Sequence, residues 1–243
     1  MNRRNLILSS VGAATVAFPI IGRAAKPCPP AQVNLAGGST ANTSCGTGGQ
    51  SYTTHFAANE NPISEGGRWR NTGLDWTPVA TSGGLAFSTQ TRNEYDDSYA
   101  FLSGFGSDQS ASATIRLASG YNPGGASHEV EIILRCSDAA HRISWYECNL
   151  SWNGGYSQIM LLNGPLGTFR EVTQFSNPIA PRDGDVFSAS AIGNVITCYL
   201  NGVTVARATD STLPTGQPGM AFFIRPGANA TSYCFRSFSA SST

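Results

Sequence analysis

The sequence predicts an all-β protein, a two-sheet antiparallel β-sandwich of the jelly-roll type, and three observations carry this prediction. Roughly a dozen short runs alternate apolar and polar residues at near-regular spacing, and no helical period persists. The 27 glycines and the frequent Ser and Thr favour turns and strands. Asn201-Gly202 lies between two alternating runs, which is the strongest short signal for a hairpin. We therefore expect no helix longer than about three turns.

The strands are predicted in chain order from the alternating runs and the turn residues between them. Gly83-Gly84 and Asn201-Gly202 separate alternating runs, and Asp183-Gly184-Asp185 opens another, so each marks the start of a new strand. The predicted strands cover residues 52–57, 85–88, 98–104, 112–118, 128–136, 142–152, 157–163, 169–175, 186–192, 194–200, 203–208, 219–224 and 232–238.

Residues 1–24 have the features of a bacterial export signal. Arg3 and Arg4 precede a short apolar run, and the small residues Gly22 and Ala24 have the spacing expected before a cleavage point. The arginine pair favours the twin-arginine type. Because the apolar run is too short to span a bilayer comfortably, we predict an exported protein, periplasmic or extracellular, without membrane insertion.

The remainder of the chain divides into a leader and one domain. Residues 25–50 are rich in Pro, Gly, Ser and Thr, which predicts an extended leader with little core. Residues 51–243 are numerous enough for one jelly-roll domain. Loss of the signal removes three arginines and no acid, so the mature chain is mildly acidic. Mild acidity without a basic cluster argues against nucleic acid as a partner, and the sequence leaves the oligomeric state open.

Six cysteines follow the predicted cleavage point, and an even number in an exported protein indicates disulfides. The sequence does not choose among the pairings. The candidates are a Cys28–Cys45 clip on the leader, a Cys136–Cys148 bond on one face of a hairpin, and Cys198 and Cys234 as a pair or as buried thiols.

The stretch from residue 127 to 164 predicts three strands, and its first two alternate an apolar face with a polar face. If residue numbers across the first hairpin sum to an even value near 280–284, the two polar faces coincide. The polar side chains are then Glu129, Glu131 and Arg135 on one strand beside Trp145, Glu147 and Asn149 on the other.

This mixture of carboxylates, guanidinium, amide and indole is the one that binds sugars. Aromatic rings stack on pyranose faces, and the polar groups hydrogen-bond the hydroxyls. The alternative is an ordinary solvated face with salt bridges between strands. Trp69, which lies in a loop between arginines, is the best tryptophan candidate to line a cleft, although tryptophan is more often buried.

Residues 51–238 resemble the concanavalin A-like jelly rolls, in particular the bacterial laminin G-like domains. The resemblance rests on Glu129–Arg135 followed by Tyr146-Glu147-Cys148, and on Tyr199-Leu200-Asn201-Gly202-Val203 followed by Gly216-Gln217-Pro218-Gly219. It implies the fold but no single activity, because this family includes lectins, adhesion modules, glycosidases and lyases.

We therefore predict a carbohydrate-binding domain that recognises a polysaccharide through a concave sheet face. The first alternative is a polysaccharide-degrading enzyme, a glycoside hydrolase or a lyase, with Glu129, Glu131 and Glu147 as catalytic groups. The chain departs from the similar laminarinase-type enzymes, because its strand lacks their middle aspartate and third glutamate. The second alternative is a non-catalytic adhesive or structural envelope protein.

The sequence predicts neither a metal site nor a cofactor. It leaves calcium open, because four acids lie in predicted loops, although no Asp-x-Asp ligand loop is present and loop acids more often cap turns. These acids are Asp96, Asp97, Asp108 and Asp138.

Overall fold

The computed structural model describes residues 49–92, 94–124, 127–176 and 179–243. Within them the regular structure is β-strand, apart from one 3-10 turn at Ala230–Ser232. The prediction of an all-β protein without a long helix is confirmed for this part of the chain. No helix in these residues is long and apolar enough to cross a membrane. The predicted signal peptide, almost all of the leader and two cysteines, Cys28 and Cys45, lie outside the described residues.

The first sheet is built around β14, the last strand of the chain. Its order is β12-β11-β10-β5-β14-β3, and β1 pairs with β14 beside β3. Because Ser51 is paired with Ser241, the first and last strands of the domain are antiparallel neighbours. The strands are β1 (Ser51–Thr54), β3 (Leu85–Ser88), β5 (Gln109–Leu117), β10 (Val186–Ile192), β11 (Val195–Leu200), β12 (Val203–Thr209) and β14 (Tyr233–Ser242).

The second sheet has the order β4-β13-β6-β7-β8-β9. Strand β2 (Thr77–Ser82) joins the two sheets, because it pairs antiparallel with β3 and makes a short parallel pair with β4. The strands of the second sheet are β4 (Ser98–Phe101), β6 (Glu129–Ala139), β7 (Arg142–Ser151), β8 (Ser157–Gly164), β9 (Phe169–Gln174) and β13 (Gln217–Phe223).

The main hydrophobic core lies between the sheets. Val130, Ile132 and Leu134 of β6 point inward, and they pack in one cluster with Phe187 of β10 and Ile115 of β5. The predicted two-sheet antiparallel β-sandwich is therefore confirmed. Alternation then places the other side chains of β6 and β7 on the outer face of the second sheet.

A β-bulge interrupts the pairing of β6 with β7. The register sums to 280 from Glu129↔Ser151 to Leu134↔Tyr146, an even value as predicted, and then shifts before Ser137. Two residues, Arg135 and Cys136, therefore oppose Trp145 alone, and Arg135 adopts a φ of 53°. A Cβ on Gly216 would lie 2.2 Å from the backbone of Arg135, so only glycine fits beside the bulge.

The bulge also separates the two cysteines of the predicted Cys136–Cys148 disulfide. Cys136 packs on the outer face of the second sheet, whereas Cys148 lies in the core between the sheets, so the predicted shared face is wrong. The four described cysteines are buried free thiols. Cys148 and Cys198 lie in one core cluster, and Cys234 donates to the carbonyl of Thr231, so Cys198 and Cys234 are buried thiols rather than a pair.

His128, immediately before β6, should make folding stability depend on pH. Burial, and then the charge of Arg225, lower its pKa from 6.5 to about 4, and its Nδ1 pairs with the hydroxyl of Tyr121. The unfolded chain therefore binds a proton at His128 more readily than the folded state does. The free energy of unfolding falls for this reason as pH falls from 6.5 toward 4. Urea unfolding across that range should show the stability difference between the parent and His128→Gln shrinking with decreasing pH. A difference that stays constant would contradict this assignment.

Candidate functional site

The floor of the site is the outer face of β6 and β7, where four polar side chains lie in adjacent rows. Glu131 pairs directly with Asn149, while Glu147 pairs with Ile133 and is diagonal to Glu131. Glu129 lies one row further on. These four residues were predicted to share a face, and the structure brings them together.

A cleft of about 310 Å3 covers this floor. Its walls come from strands and loops distant in sequence, and they are largely aromatic. The aromatic residues that line it are Trp76, Tyr95, Tyr156, Phe169 and Phe223. Arg225 is the cation in the lining, and Gln158 extends the polar floor toward β8.

Asp97 adds a fourth carboxylate to the cleft. It immediately precedes β4, and Phe223 of β13 continues the row from Glu129 toward it, because Phe222 pairs with Ser98 and with Val130. Oxygen atoms of Asp97, Glu131 and Glu147 lie within 4.8 Å of one another. The sequence placed Asp97 only among loop acids, because nothing local shows that its loop folds over β6.

The four acids are buried, but they differ in the hydrogen bonds that they accept. Glu147 accepts hydrogen bonds from Asn149 Nδ2 at 3.1 Å and from Trp145 Nε1 at 3.4 Å. Glu129 accepts one from the hydroxyl of Tyr156. Neither oxygen of Glu131 has a hydrogen-bond partner of ordinary geometry, nor does Asp97 Oδ1.

Burial is the main reason that these carboxyl groups hold protons tightly. Burial, and then the charge of Glu147, raise the pKa of Glu129 to about 8, although the Tyr156 hydroxyl opposes the shift. The pKa of Glu131 is raised well above its usual range by burial and then by Glu147, with a smaller opposing effect of the Phe223 amide. Burial likewise raises the pKa of Asp97 and, against two hydrogen bonds, that of Glu147.

An exposed aromatic pair forms one side of the cleft mouth. Tyr95 and Phe169 are 53% and 41% exposed, and their ring centroids are 4.8 Å apart. Tyr95 lies in the loop before β4, and Phe169 begins β9. Neither residue could be predicted from the central hairpin, because neither lies on it. Trp76, deeper in the wall, is 6% exposed, and its Nε1 has no hydrogen-bond partner.

Three of the predicted site residues lie away from this cleft. Arg135 is turned off the polar face by the bulge, and its guanidinium bonds backbone carbonyls, so its predicted place beside Glu129 and Glu131 is wrong. Trp145 has the predicted parity, but it is fully buried against Tyr99 and does not line the cleft.

Trp69 also does not line the cleft. It is 4% exposed and packs in the core between the sheets, with its ring 5.1 Å from that of Phe238. Its Nε1 donates to Tyr52 and to Glu65. The loop position suggested that Trp69 lines a cleft. In the structure the loop instead places its ring against the first sheet.

Comparisons with known proteins find distant structural likenesses. No protein-family model and no curated protein sequence matches the chain. The carbohydrate-binding module CBM66 of Bacillus subtilis is 16% identical with a TM-score of 0.45, over 74% of this chain and 96% of that one. A κ-carrageenase from Zobellia galactanivorans is 15% identical with a TM-score of 0.46, over 79% and 93% respectively. Likenesses this distant carry no argument about the ligand.

Proposed function

We propose that the cleft binds an oligosaccharide and that the chain is a carbohydrate-binding domain. The observation that carries this proposal is the exposed ring pair of Tyr95 and Phe169 beside a floor of carboxylates and amides. A pyranose has an apolar face that stacks on such rings and hydroxyls that donate to such oxygens. Export, predicted from residues 1–24, would bring the domain into contact with polysaccharides outside the cytoplasm.

The burial of the floor argues against an ordinary solvated face. Glu129, Glu131, Glu147 and Asn149 are at most 8% exposed, whereas side chains that serve solubility reach into water. None of the three glutamates forms a salt bridge within the described residues. Polar groups held in this way cost free energy unless a ligand contacts them.

The charge of the lining favours a neutral sugar when the floor is free of ions. Four carboxyl groups face the cleft, and Arg225, an exposed side chain, is the cation of the lining. A uronate would add a further acid to a floor that already crowds four, while neutral hydroxyls can donate to carboxylate oxygens and accept from protonated carboxyl groups.

Replacing Phe169 or Tyr95 with Ala should weaken sugar binding without unfolding the protein. Each ring is exposed, so little packing is lost, and stacking contributes on the order of 1 kcal/mol, about a five-fold change in Kd. Affinity electrophoresis against a panel of neutral and acidic polysaccharides measures the effect.

Tyr199→Ala is the matched control for this experiment. Tyr199 lies on β11 of the first sheet and is partly exposed, yet it does not line the cleft. Its removal should leave retention unchanged. Equal retention of the parent, Phe169→Ala and Tyr95→Ala on every polymer that the parent binds would count against the proposal, as would a parent that binds none.

A second candidate function, cleavage of a glycosidic bond, is favoured by the pairing of Glu131 with Glu147. Their oxygens converge within 4.8 Å, and Glu147 accepts two side-chain hydrogen bonds that stabilise its anion. Retaining glycosidases hold two carboxyl groups about 5–5.5 Å apart, one as acid and one as nucleophile. Release of reducing ends by the parent, lost in Glu147→Gln, would support cleavage; no release from a bound polymer leaves binding alone.

A further inference from the structure

We propose that Asp97, Glu131 and Glu147 bind a divalent cation, with calcium preferred, at the floor of the cleft. One oxygen from each residue lies within 4.8 Å of the others. This inference rests on the proposed function in one respect: sugar oxygens that enter from the cleft mouth would contact the ion. Binding of the ion itself needs only these three side chains and the water that completes its shell.

The acids of the cleft floor lack a counter-charge. Asp97, Glu131 and Glu147 converge from separate elements, and Glu129 lines the same cleft. No arginine or histidine of the described residues forms an ion pair with any of them. Crowded carboxylates without a counter-charge are destabilising in a buried site, and a divalent ion supplies the missing positive charge.

Several polar atoms in the cleft lack a hydrogen-bond partner of ordinary geometry. They include both oxygens of Glu131, which is 1% exposed and lines the cleft, and Asp97 Oδ1, whose residue is 6% exposed. A buried polar atom is normally satisfied by protein, water or ligand. Trp76 Nε1, in the wall of the same cleft, also lacks a partner. An indole N–H donates hydrogen bonds and does not coordinate a cation. An oxygen-rich molecule is therefore expected beside it in the cleft.

Paired strands hold the three acids in a rigid arrangement. Glu131 and Glu147 lie in the middle of neighbouring strands, and Asp97 adjoins β4, which pairs with β13 beside β6. Ala221 of β13 stands between Tyr99 and Glu131 in its row, so a small side chain leaves room beside the carboxylate. Ligands placed on paired strands hold their geometry better than ligands on loops.

The chemistry of the ligands selects the ion. Three carboxylates without a thiol or an imidazole suit a hard cation. Calcium binds oxygens at about 2.3–2.6 Å, so even the widest separation that the three oxygens have, 4.8 Å, fits across one ion. Magnesium, with bonds of about 2.0–2.1 Å, does not span a pair that far apart. Calcium also takes about 6–8 oxygens, which leaves positions open toward the cleft.

Proton uptake is the competing way to neutralise these acids. A proton removes the charge of one carboxyl group, but it supplies no partner to the other oxygen of Glu131. A bound ion contacts oxygens of all three residues at once. It would also occupy Glu131 and Glu147 as ligands, so cation binding counts against their use as acid and nucleophile in the cleavage candidate.

The test uses the full mature chain, freed of metal with EDTA, and calcium or terbium ions alone as probes. Calcium should raise the Tm by several degrees and bind with one-to-one stoichiometry in calorimetry. Terbium should become luminescent on excitation of tryptophan, because Trp76 lines the same cleft. Glu131→Gln should weaken calcium at least ten-fold, yet melt in EDTA at or above the parent temperature.

Glu94→Gln is the matched control, because this exposed acid lies three residues before Asp97. It should bind calcium as the parent does. The proposal is overturned if calcium at millimolar concentration neither shifts the Tm of the parent nor gives calorimetric heat, or if Glu131→Gln binds calcium as tightly as the parent. Should Glu131→Gln not fold, Asp97→Asn replaces it, and the parent titration remains decisive.

A second arm separates this inference from the proposed function. Sugar retention is measured for the parent in calcium and in EDTA. Calcium binding without retention of any sugar supports the ion site and counts against the carbohydrate proposal. Retention that is equal in EDTA, with no calcium binding, supports the carbohydrate proposal and overturns the ion site.

Discussion

Arg135→Ala is expected to lower the free energy of unfolding by about 3–5 kcal/mol, a large share of the total of about 5–15 kcal/mol that is typical of a domain. The side chain is 2% exposed and stabilises the bulge of β6. Truncation would leave its carbonyl partners buried without donors. The guanidinium donates to the carbonyls of Ser107, Gly193 and Leu213 and lies 3.7 Å from Asp108.

Urea unfolding followed by far-UV circular dichroism measures this loss, with Arg142→Ala as the control. Arg142 is an exposed arginine at the start of β7, and its removal should change stability by no more than about 0.5 kcal/mol. Arg135→Lys should fall between the two, because an ammonium cannot reproduce the planar fork of donors. A loss for Arg135→Ala no larger than that of the control would refute this role.

Trp145→Ala should destabilise the fold by about 3–5 kcal/mol through the cavity that it leaves. The ring is fully buried on the outer side of the second sheet and lies 4.9 Å from the ring of Tyr99. Its Nε1 also donates to Glu147, so its loss removes one of the two hydrogen bonds that fix that carboxylate. The thermal midpoint and the urea midpoint should both fall.

Trp145→Phe is the companion variant, because it keeps an aromatic ring and removes the indole donor. We expect it to recover most of the stability that Trp145→Ala loses. If Trp145→Ala kept the parent stability and lost only sugar retention, the residue would have the stacking role that its sequence position first suggested.

The shared polar face of the central hairpin could be predicted because alternation along a strand is strict. A slip by one residue would turn Val130 and Ile132 toward the outer face, so the register had to be even, but the exact pairing of Glu131 with Asn149 was left open. The bulge could not be predicted in the same way. Arg135 adopts a positive φ without being glycine, and the space that the bulge needs is provided by Gly216, far along the chain.

The same distinction holds for the candidate site. The floor is local, so its four polar residues could be found from two neighbouring strands. The aromatic pair at the cleft mouth is not local in sequence, because Tyr95 and Phe169 come from segments that only the folded sheet brings together. The burial of Trp69 and Trp145 was equally hidden, since a tryptophan on a polar face or in a loop does not reveal what packs over it.

The antiparallel pairing of β1 with β14 has a practical consequence for engineering. Ser51 and Ser241 lie opposite each other on the first sheet, whereas the cleft opens on the second. The domain can therefore be inserted into a surface loop of a host protein, with both junctions entering at one edge and the cleft left open. The same adjacency favours circular permutation of the described domain, in which a short linker joins β14 to β1 and new ends open at an exposed turn such as Asn201-Gly202.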